Sequence, residues 1–419
     1  MIFYQFFSIL LSPLISLYLT FRKFKKKEDL SRFAERLGHN KINRPDGFLV
    51  WMHSASVGES KSALTLATAL LKKYPHINIL ITSGTITSAA EIAKTLPERT
   101  IHQYVPVDKF FAVRRFLKHW QPNLAMFVES ELWPNLIFQT KKLGCPLVLV
   151  NGRISNQSFK NWQTLHRFGF NLLKNFSMCF AQSCIDQQKF TDLGVKNVHF
   201  IGNLKASAPA LKVNHDALKN LQQQIGDRPF WLASNTHKGE EEIIIRTHQK
   251  LKEYFPDLLT IIAPRHPNRL EEIIKLIPQN INAAIRSQNQ TIGNYQIYLA
   301  DTMGELGTFY SLSKISVICG SLIDNIGGHN PFEALRLGSV VLSGRYVKNN
   351  REIFDDLEKS QSCLMVKNED ELLFYLLKIM KDKNYHLSLL EHVKSTQNNS
   401  SEVPNNILKI IEKEMKLSW

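Results

Sequence analysis

Short apolar runs recur along this chain, each followed by a longer stretch of helical periodicity, and that alternation narrows the fold more than any other feature. Phe48-Leu49-Val50-Trp51-Met52 is one such run, as are 77–82, 124–128, 146–150, 178–182 and 198–201. A strand that is apolar at every position has both faces buried, the condition of a parallel sheet covered by helices on either side. After a polar stretch the pattern resumes at 230–233, 258–263, 297–299, 315–319 and 340–342. The 419 residues suffice for two domains of ordinary size. The expected fold class is therefore α/β, with two doubly wound Rossmann-like domains facing each other across a cleft. The boundaries read as an anchor at 1–21, a basic juxtamembrane segment at 22–47 and a first domain at 48–205. A linker follows at 206–228, then a second domain at 229–396, then a polar break and C-terminal helix at 397–419.

Residues 1–21 hold no charged side chain and are rich in Phe, Leu and Ile, close to the roughly 20 residues a membrane-spanning helix needs. Arg22, Lys23, Lys25, Lys26 and Lys27 follow at once, with Arg32, Arg36, Lys41 and Arg44 behind them. A cleaved signal peptide would carry its positive charges first. Charges placed after the apolar run leave the body of the chain on the cytoplasmic side of an inner membrane. A single N-terminal anchoring helix is expected, spanning the bilayer or, given Pro13 and the interspersed Ser8, Ser12 and Ser16, lying in its interface. The net charge of +15 is unevenly placed, and this collar suits an anionic lipid surface. With no zinc-finger spacing and no aromatic-basic RNA signature, nucleic acid is not an expected partner. The five cysteines are scattered without a Cys-x-x-Cys pair, so neither a disulfide framework nor a zinc site is indicated.

Ligands of doubly wound sheets bind beyond the carboxyl ends of the strands, so the strand-to-helix loops hold the candidate residues. After the first strand comes His53-Ser54-Ala55-Ser56-Val57-Gly58-Glu59. Glu59 falls at a helix start, where the dipole favours the ionised carboxylate that a general base requires; it equally suits an ordinary helix start. Glu129-Ser130-Glu131 follows the strand at 124–128, and two carboxylates one residue apart there are costly unless hydrogen-bonded or paired with a cation. Gly202-Asn203-Leu204-Lys205 brings Lys205 to another strand end. In the second half, Thr236-His237-Lys238-Gly239-Glu240 opens a helix, and Pro264-Arg265-His266-Pro267 follows a strand. Arg265, always charged and forked, is the natural phosphate partner.

Gly327-Gly328-His329-Asn330-Pro331-Phe332-Glu333, read with Asp301-Thr302-Met303-Gly304-Glu305, offers backbone N–H groups at a helix start for a phosphate and Glu333 for a ribose. The same residues also describe a capped helix with no ligand, with Asn330 at the N-cap, Pro331 at N1 and Glu333 at N3. Neither a P-loop nor Gly-x-Gly-x-x-Gly occurs, which argues against a dinucleotide oxidoreductase. Asp-x-Asp is also missing. A site built on Arg and helix N-termini, in place of a metal held by paired carboxylates, matches a leaving group with a single phosphate.

Taken in order, these segments resemble the family of 3-deoxy-D-manno-octulosonic acid (Kdo) transferases, which build the inner core of lipopolysaccharide. The likeness runs from the apolar N-terminus through His53 to Glu59, Glu129 to Asn135, Asn151-Gly152-Arg153-Ile154-Ser155 and Gly202 to Lys205. It continues through Thr236 to Glu240, Pro264 to Pro267, Asp301 to Leu306 and Gly327 to Glu333. The resemblance implies a two-domain glycosyltransferase of the B type that works by inversion, with no cofactor and no metal. It implies CMP-Kdo as donor and a lipid A precursor as acceptor, bound by the first domain, while the second holds the CMP-sugar. By the same resemblance Glu59 looks like the base, and Glu129 and Lys205 like groups that stabilise the transition state. Pro264 and Arg265, Met303, Gly304 and Glu305, and Asn330, Pro331, Phe332 and Glu333 look like the CMP site.

Two positions depart from the family pattern. Ala206-Ser207 stands where Phe-Asp is usual after Lys205, which bears on the setting of that lysine, and Cys319 replaces the first glycine of Gly-Gly-Ser-Leu. The rival readings are a UDP-sugar enzyme of the same fold, such as a lipid A disaccharide synthase or a nucleotide-sugar epimerase, and a membrane-anchored scaffold without activity.

Overall fold

The apolar runs pair only with parallel neighbours. β1 (Leu49–His53), β2 (Asn78–Ser83), β3 (Thr100–Tyr104), β4 (Leu124–Val128), β5 (Leu147–Gly152), β6 (Met178–Ala181) and β7 (Val198–Phe200) form one sheet in the order β3-β2-β1-β4-β5-β6-β7. β8 (Phe230–Thr236), β9 (Leu259–Pro264), β10 (Ala283–Ile285), β11 (Ile297–Leu299), β12 (Ile315–Ile318), β13 (Val340–Gly344) and β14 (Cys363–Val366) form a second, ordered β10-β11-β9-β8-β12-β13-β14. This computed structural model describes residues 2–25, 27–167 and 170–417; Met1 of the expected anchor and Lys26 of the basic collar fall outside the described residues. The chain divides into two units, residues 1–208 with 400–419, and residues 209–399.

Strand order reverses at one central pair in each sheet, β1 with β4 and β8 with β12. In doubly wound folds the loops at such a reversal line the ligand crevice. Glu59 and Glu129 belong to the two loops at the first reversal; His237 and Gly320 belong to those at the second. β1 is buried at every position. Its Trp51 meets Phe116 and Phe127 with ring centroids 5.0 and 5.1 Å apart, and Trp51 Nε1 donates to Thr82 Oγ1 at 2.9 Å.

β3, β10 and β14 have no counterpart among the apolar runs, and each is an edge strand. In β3 the looser cover of an edge admits polar residues, with Thr100, Ile101 and His102 only half-buried; β10 and β14 are apolar but only three and four residues long. The polar stretch read as a linker holds a helix, His215–Ile225, whose Leu221 and Ile225 are buried. The break expected at 398–401 is also displaced, because the helix Lys383–Ser401 runs through it and stops at Glu402. The last helix, Val403–Met415, then buries Val403, Ile407, Leu408 and Ile411 in the core of the first unit.

The single anchoring helix over 1–21 is not formed. Two helices, Ile2–Leu10 and Ser12–Phe24, meet at Leu11. Pro13 lies in the first turn of the second helix and has no N–H with which to continue the ladder of the first. At 1.5 Å per residue the longer helix extends about 20 Å, short of a hydrocarbon core of about 30 Å. No helix among the described residues is long and apolar enough to cross a membrane. The first helix is tied to the unit instead: Tyr4 Oη donates to Asp108 Oδ2 at 2.9 Å, and Asn135 Nδ2 to Ser8 Oγ at 3.2 Å. Arg22 and Arg36 of the basic collar both reach the buried Glu28, at 2.6 and 3.3 Å. Leu14, Leu17, Phe21 and Phe24 of the second helix stay exposed at spacings of three and four residues, which puts them along one face.

Candidate active site

In the first unit the chain leaves β1 at His53 and enters the helix Val57–Lys73 through a complete capping box. Glu59 N donates to Ser56 Oγ at 3.3 Å, while the Glu59 carboxylate accepts from Ala55 N at 2.6 Å and Ser56 Oγ at 2.9 Å. The capping reading of Glu59 is thus realised, and it also holds the carboxylate in one place. Burial pushes its carboxyl above the ordinary range; the Ala55 N–H opposes the rise, and the charges of Glu131 and Glu129 add to it. A carboxylate with a raised pKa is a stronger base towards a hydroxyl.

Glu129 follows the last residue of β4 with φ 58°, in the left-handed region. That is uncommon for a side chain larger than glycine and is found disproportionately at functional sites. Glu129 Oε1 lies 2.7 Å from Lys205 Nζ, so the cation that its burial requires is present. Lys205 sits in a 3-10 turn, Leu204–Ser207, whose start is fixed by Asn203 Oδ1 accepting from Lys205 N and Asn151 Oδ1 from Leu204 N, both at 2.9 Å. A Cβ on Gly58 would lie 4.0 Å from Lys205 Cε, which sets the lysine beside the start of the Glu59 helix. At the departures from the family pattern, Ala206 and Cys319 are buried and Ser207 Oγ donates to Ser400 O.

Glu131, the third carboxylate, accepts from Trp133 Nε1 at 2.6 Å and lies 3.3 Å from His53 Nε2. Burial pushes its pKa up, but the contacts from His53 and Trp133 outweigh burial and bring it below the usual value. The site therefore holds two carboxylates tuned in opposite directions. Glu59 is shifted towards the protonated form, and Glu131 is held ionised beside it.

In the second unit Glu240 is fully buried and accepts four backbone N–H groups: Gly320 at 2.7 Å, and Ser321, Leu322 and His237 each at 3.0 Å. One carboxylate therefore fixes the loop after β12 against the loop after β8. Arg265 leaves β9 beside them, its N–H donating to Thr236 O at 3.1 Å, and its side chain is exposed. His237 Nε2 and His329 Nε2 are 2.8 Å apart with their rings parallel to within 6°, and His266 meets His237 edge-on at 5.8 Å.

One expectation for this half is corrected. The helix after Asn330-Pro331 is a single turn, Phe332–Leu335, with Pro331 at its N-cap. Asn330 Oδ1 accepts from Phe332 N at 3.1 Å, so the cap is shifted by one residue from the expected register. One turn carries little of a helix dipole; Arg265 adds positive charge near His237 and His329, while Arg269 is paired with Glu241 at 2.7 Å. Glu305, of the expected CMP site, is gripped by Arg286 at 2.7 and 3.0 Å and accepts from Thr302. That Arg286 contact, against partial burial, holds its pKa low. Met303 beside it is exposed, on the loop after β11, one strand over from Arg265. Glu333 faces Arg336 and Tyr310.

Sequence reasoning on single residues passed over His53, Glu131 and the three histidines of the second unit as site members. Each lay inside a motif already singled out for another residue. The available signal was that His237, His266 and His329 stand in three different strand-to-helix loops.

Residues 31–208 match the protein family described as 3-deoxy-D-manno-octulosonic-acid transferase (kdotransferase). A 3-deoxy-D-manno-octulosonic acid transferase of Rickettsia bellii is 35% identical, over 99% of this chain and 96% of that one. Its counterpart in Haemophilus influenzae is 33% identical, over 88% of each. Among solved structures, a UDP-GlcNAc 2-epimerase from Neisseria meningitidis aligns with a TM-score of 0.62 over 88% of this chain and the whole of its own, at 13% identity. That likeness concerns the fold alone.

Proposed function

This chain belongs to the Kdo transferase family of glycosyltransferases, and on that premise we propose that it moves Kdo from CMP-Kdo to a lipid A precursor, with inversion and without a metal ion. The observation that carries the reading is the Glu59 carboxylate, fixed by its own helix cap and raised in pKa beside the Glu129–Lys205 pair. The acceptor hydroxyl attacks the anomeric carbon of Kdo and its proton passes to Glu59. The bond from that carbon to the phosphate oxygen breaks, and the oxygen keeps the electron pair as CMP departs. Lys205 and Glu129 steady the charge that develops around the attacked carbon, and Arg265 receives the phosphate. Pro264 and the loops at Met303 to Glu305 and Asn330 to Glu333 frame the nucleotide.

Ligand-dependent thermal unfolding separates this reading from the UDP-sugar alternatives. CMP at about a hundred times its Kd should stabilise the chain by roughly 2.7 kcal/mol, an upward shift of several degrees, with UDP much weaker. Stabilisation by UDP and not CMP would contradict the donor assignment, and stabilisation by neither favours a scaffold.

The acceptor reading includes a membrane surface. The exposed face of Leu14, Leu17, Phe21 and Phe24, with Lys23, Lys25 and Lys27 close by in the chain, supports docking in the interface of an anionic bilayer, each cation near the surface adding about 1 kcal/mol. Co-sedimentation with phosphatidylglycerol vesicles should exceed that with phosphatidylcholine vesicles and be lost when Leu17 and Phe21 are both replaced by Glu. Retention by that variant would overturn this mode of attachment.

A further inference from the structure

His237 and His329 come from separate loops, after β8 and after β12, yet their Nε2 atoms approach to 2.8 Å with rings parallel to within 6°. Space for this is built into the backbone: Gly320 has φ 72°, and a Cβ there would come within 2.8 Å of His329 Cδ2 and 3.1 Å of its Nε2. Glu240 fixes both sides of the contact, since it accepts from His237 N and from Gly320 N. At 2.8 Å one ring must donate its Nε2 hydrogen and the other accept it, because two Nε2 hydrogens would collide. The donor ring then has a lone pair at Nδ1. A single further proton can enter there without breaking the pair, and it strengthens the shared bond by charging its donor. A second proton would break it. The two imidazoles form a one-proton acceptor and titrate as a unit.

The groups facing this pair are Arg265 and His266 from the loop after β9, Arg269 from the turn Pro267–Arg269, and Glu240 through the His237 backbone. Burial lowers both imidazoles, His329 to about 4, and the nearby positive groups add to the effect. The pair is therefore neutral at neutral pH. A dianion placed against Arg265 cancels that repulsion and favours the proton, since an opposite charge within about 4–6 Å moves a pKa by 1–3 units.

We propose that the His237–His329 pair is the element of the donor site that answers the second negative charge of the departing phosphate, by taking up one proton as that charge appears. The proposal rests on the reading of the second unit as the CMP-sugar site. In the donor the phosphate carries one negative charge. When its bond to the sugar breaks and the electron pair stays on oxygen, it becomes a monoester with two. The acceptor proton goes to Glu59 and later to solvent, while the pair takes one proton from solvent and returns it when CMP leaves. Protons thus balance over a turnover. Because the pair is charged with the product and neutral with the donor, its stabilisation grows along the reaction.

Calorimetric titration of the full chain with CMP at pH 7.5, in two buffers of different ionisation enthalpy, reads the proton count. At that pH free CMP is already mostly dianionic, so uptake belongs to the protein. Wild type should take up a measurable fraction of one proton per CMP bound, and cytidine, which lacks the phosphate, none. His329→Gln and His237→Asn should each bind CMP with that uptake lost, whereas a merely structural role would weaken binding and leave the uptake in place. CMP binding by wild type without proton uptake, or uptake that persists in both variants, overturns the proposal and leaves the donor reading standing. Failure of the folded chain to bind CMP at all overturns the donor reading, and the proposal with it.

Discussion

Glu59→Gln is expected to lower kcat by roughly 10²–10⁴-fold, the usual worth of a positioned general base, and to leave CMP affinity unchanged. Glutamine fits the capping box as well as glutamate does, so the helix start should survive and the loss should be of chemistry alone. The pH dependence adds a second mark. Glu59 must be ionised to take the acceptor proton, so wild-type kcat/KM should fall on the acid side as pH drops through its pKa, which burial places above the ordinary carboxylate range. That limb should vanish from the residual activity of the variant. The stability effect has the opposite sign. A carboxyl whose pKa is raised by folding stabilises the fold when protonated, and this contribution is lost as pH rises through the folded value. At neutral pH, replacing it with Gln should therefore cost nothing in thermal unfolding. A folded variant that turns over at a comparable rate would remove Glu59 from the role of base, and one that unfolds at neutral pH would show that the carboxylate is needed for the helix start.

Arg265→Ala is expected to weaken both donor binding and rate. A hydrogen bond to a charged group contributes about 1.5–3 kcal/mol, which corresponds to about 10–150-fold. The effect should appear in KM for the donor and again in kcat, because the charge on the leaving phosphate grows as its bond to the sugar breaks. Arg265→Lys should recover only part of it, since an ammonium keeps the charge without the planar fork. Arg265 is exposed and is held through its backbone by Thr236 O, so the substitution should leave folding intact. Kinetics equal to wild type would take the leaving group away from this side chain.

The central strands were legible because parallel sheets bury both faces, and an apolar run needs no tertiary information to be noticed. β3 escaped for the same physical reason, being a half-covered edge that carries polar residues, and β10 and β14 because their apolar runs are only three and four residues long. The carboxyl-end rule led to Glu59, Glu129 and Arg265 without knowledge of their partners. What the sequence hid was pairing. Nothing in the order of residues says that Arg286 grips Glu305, that Glu240 ties two loops together through four N–H groups, or that His237 meets His329. Those contacts join loops that the sheets bring together from tens of residues apart. The N-terminal expectation was wrong about one long helix: length and hydropathy both allowed a span, and Pro13 divided the segment in two. The exposed apolar face that remains is a feature of three-dimensional packing, visible only once Ser8 and Leu19 are seen to be buried.

The most direct test is to incubate the full chain with CMP-Kdo and a tetra-acylated lipid A precursor, without added divalent metal and with a chelator present, and to weigh the lipid product by mass spectrometry. A product heavier than the precursor by whole Kdo residues, with CMP released in equal amount, is the predicted result. An unchanged precursor with wild type, under conditions where CMP demonstrably binds, would contradict it.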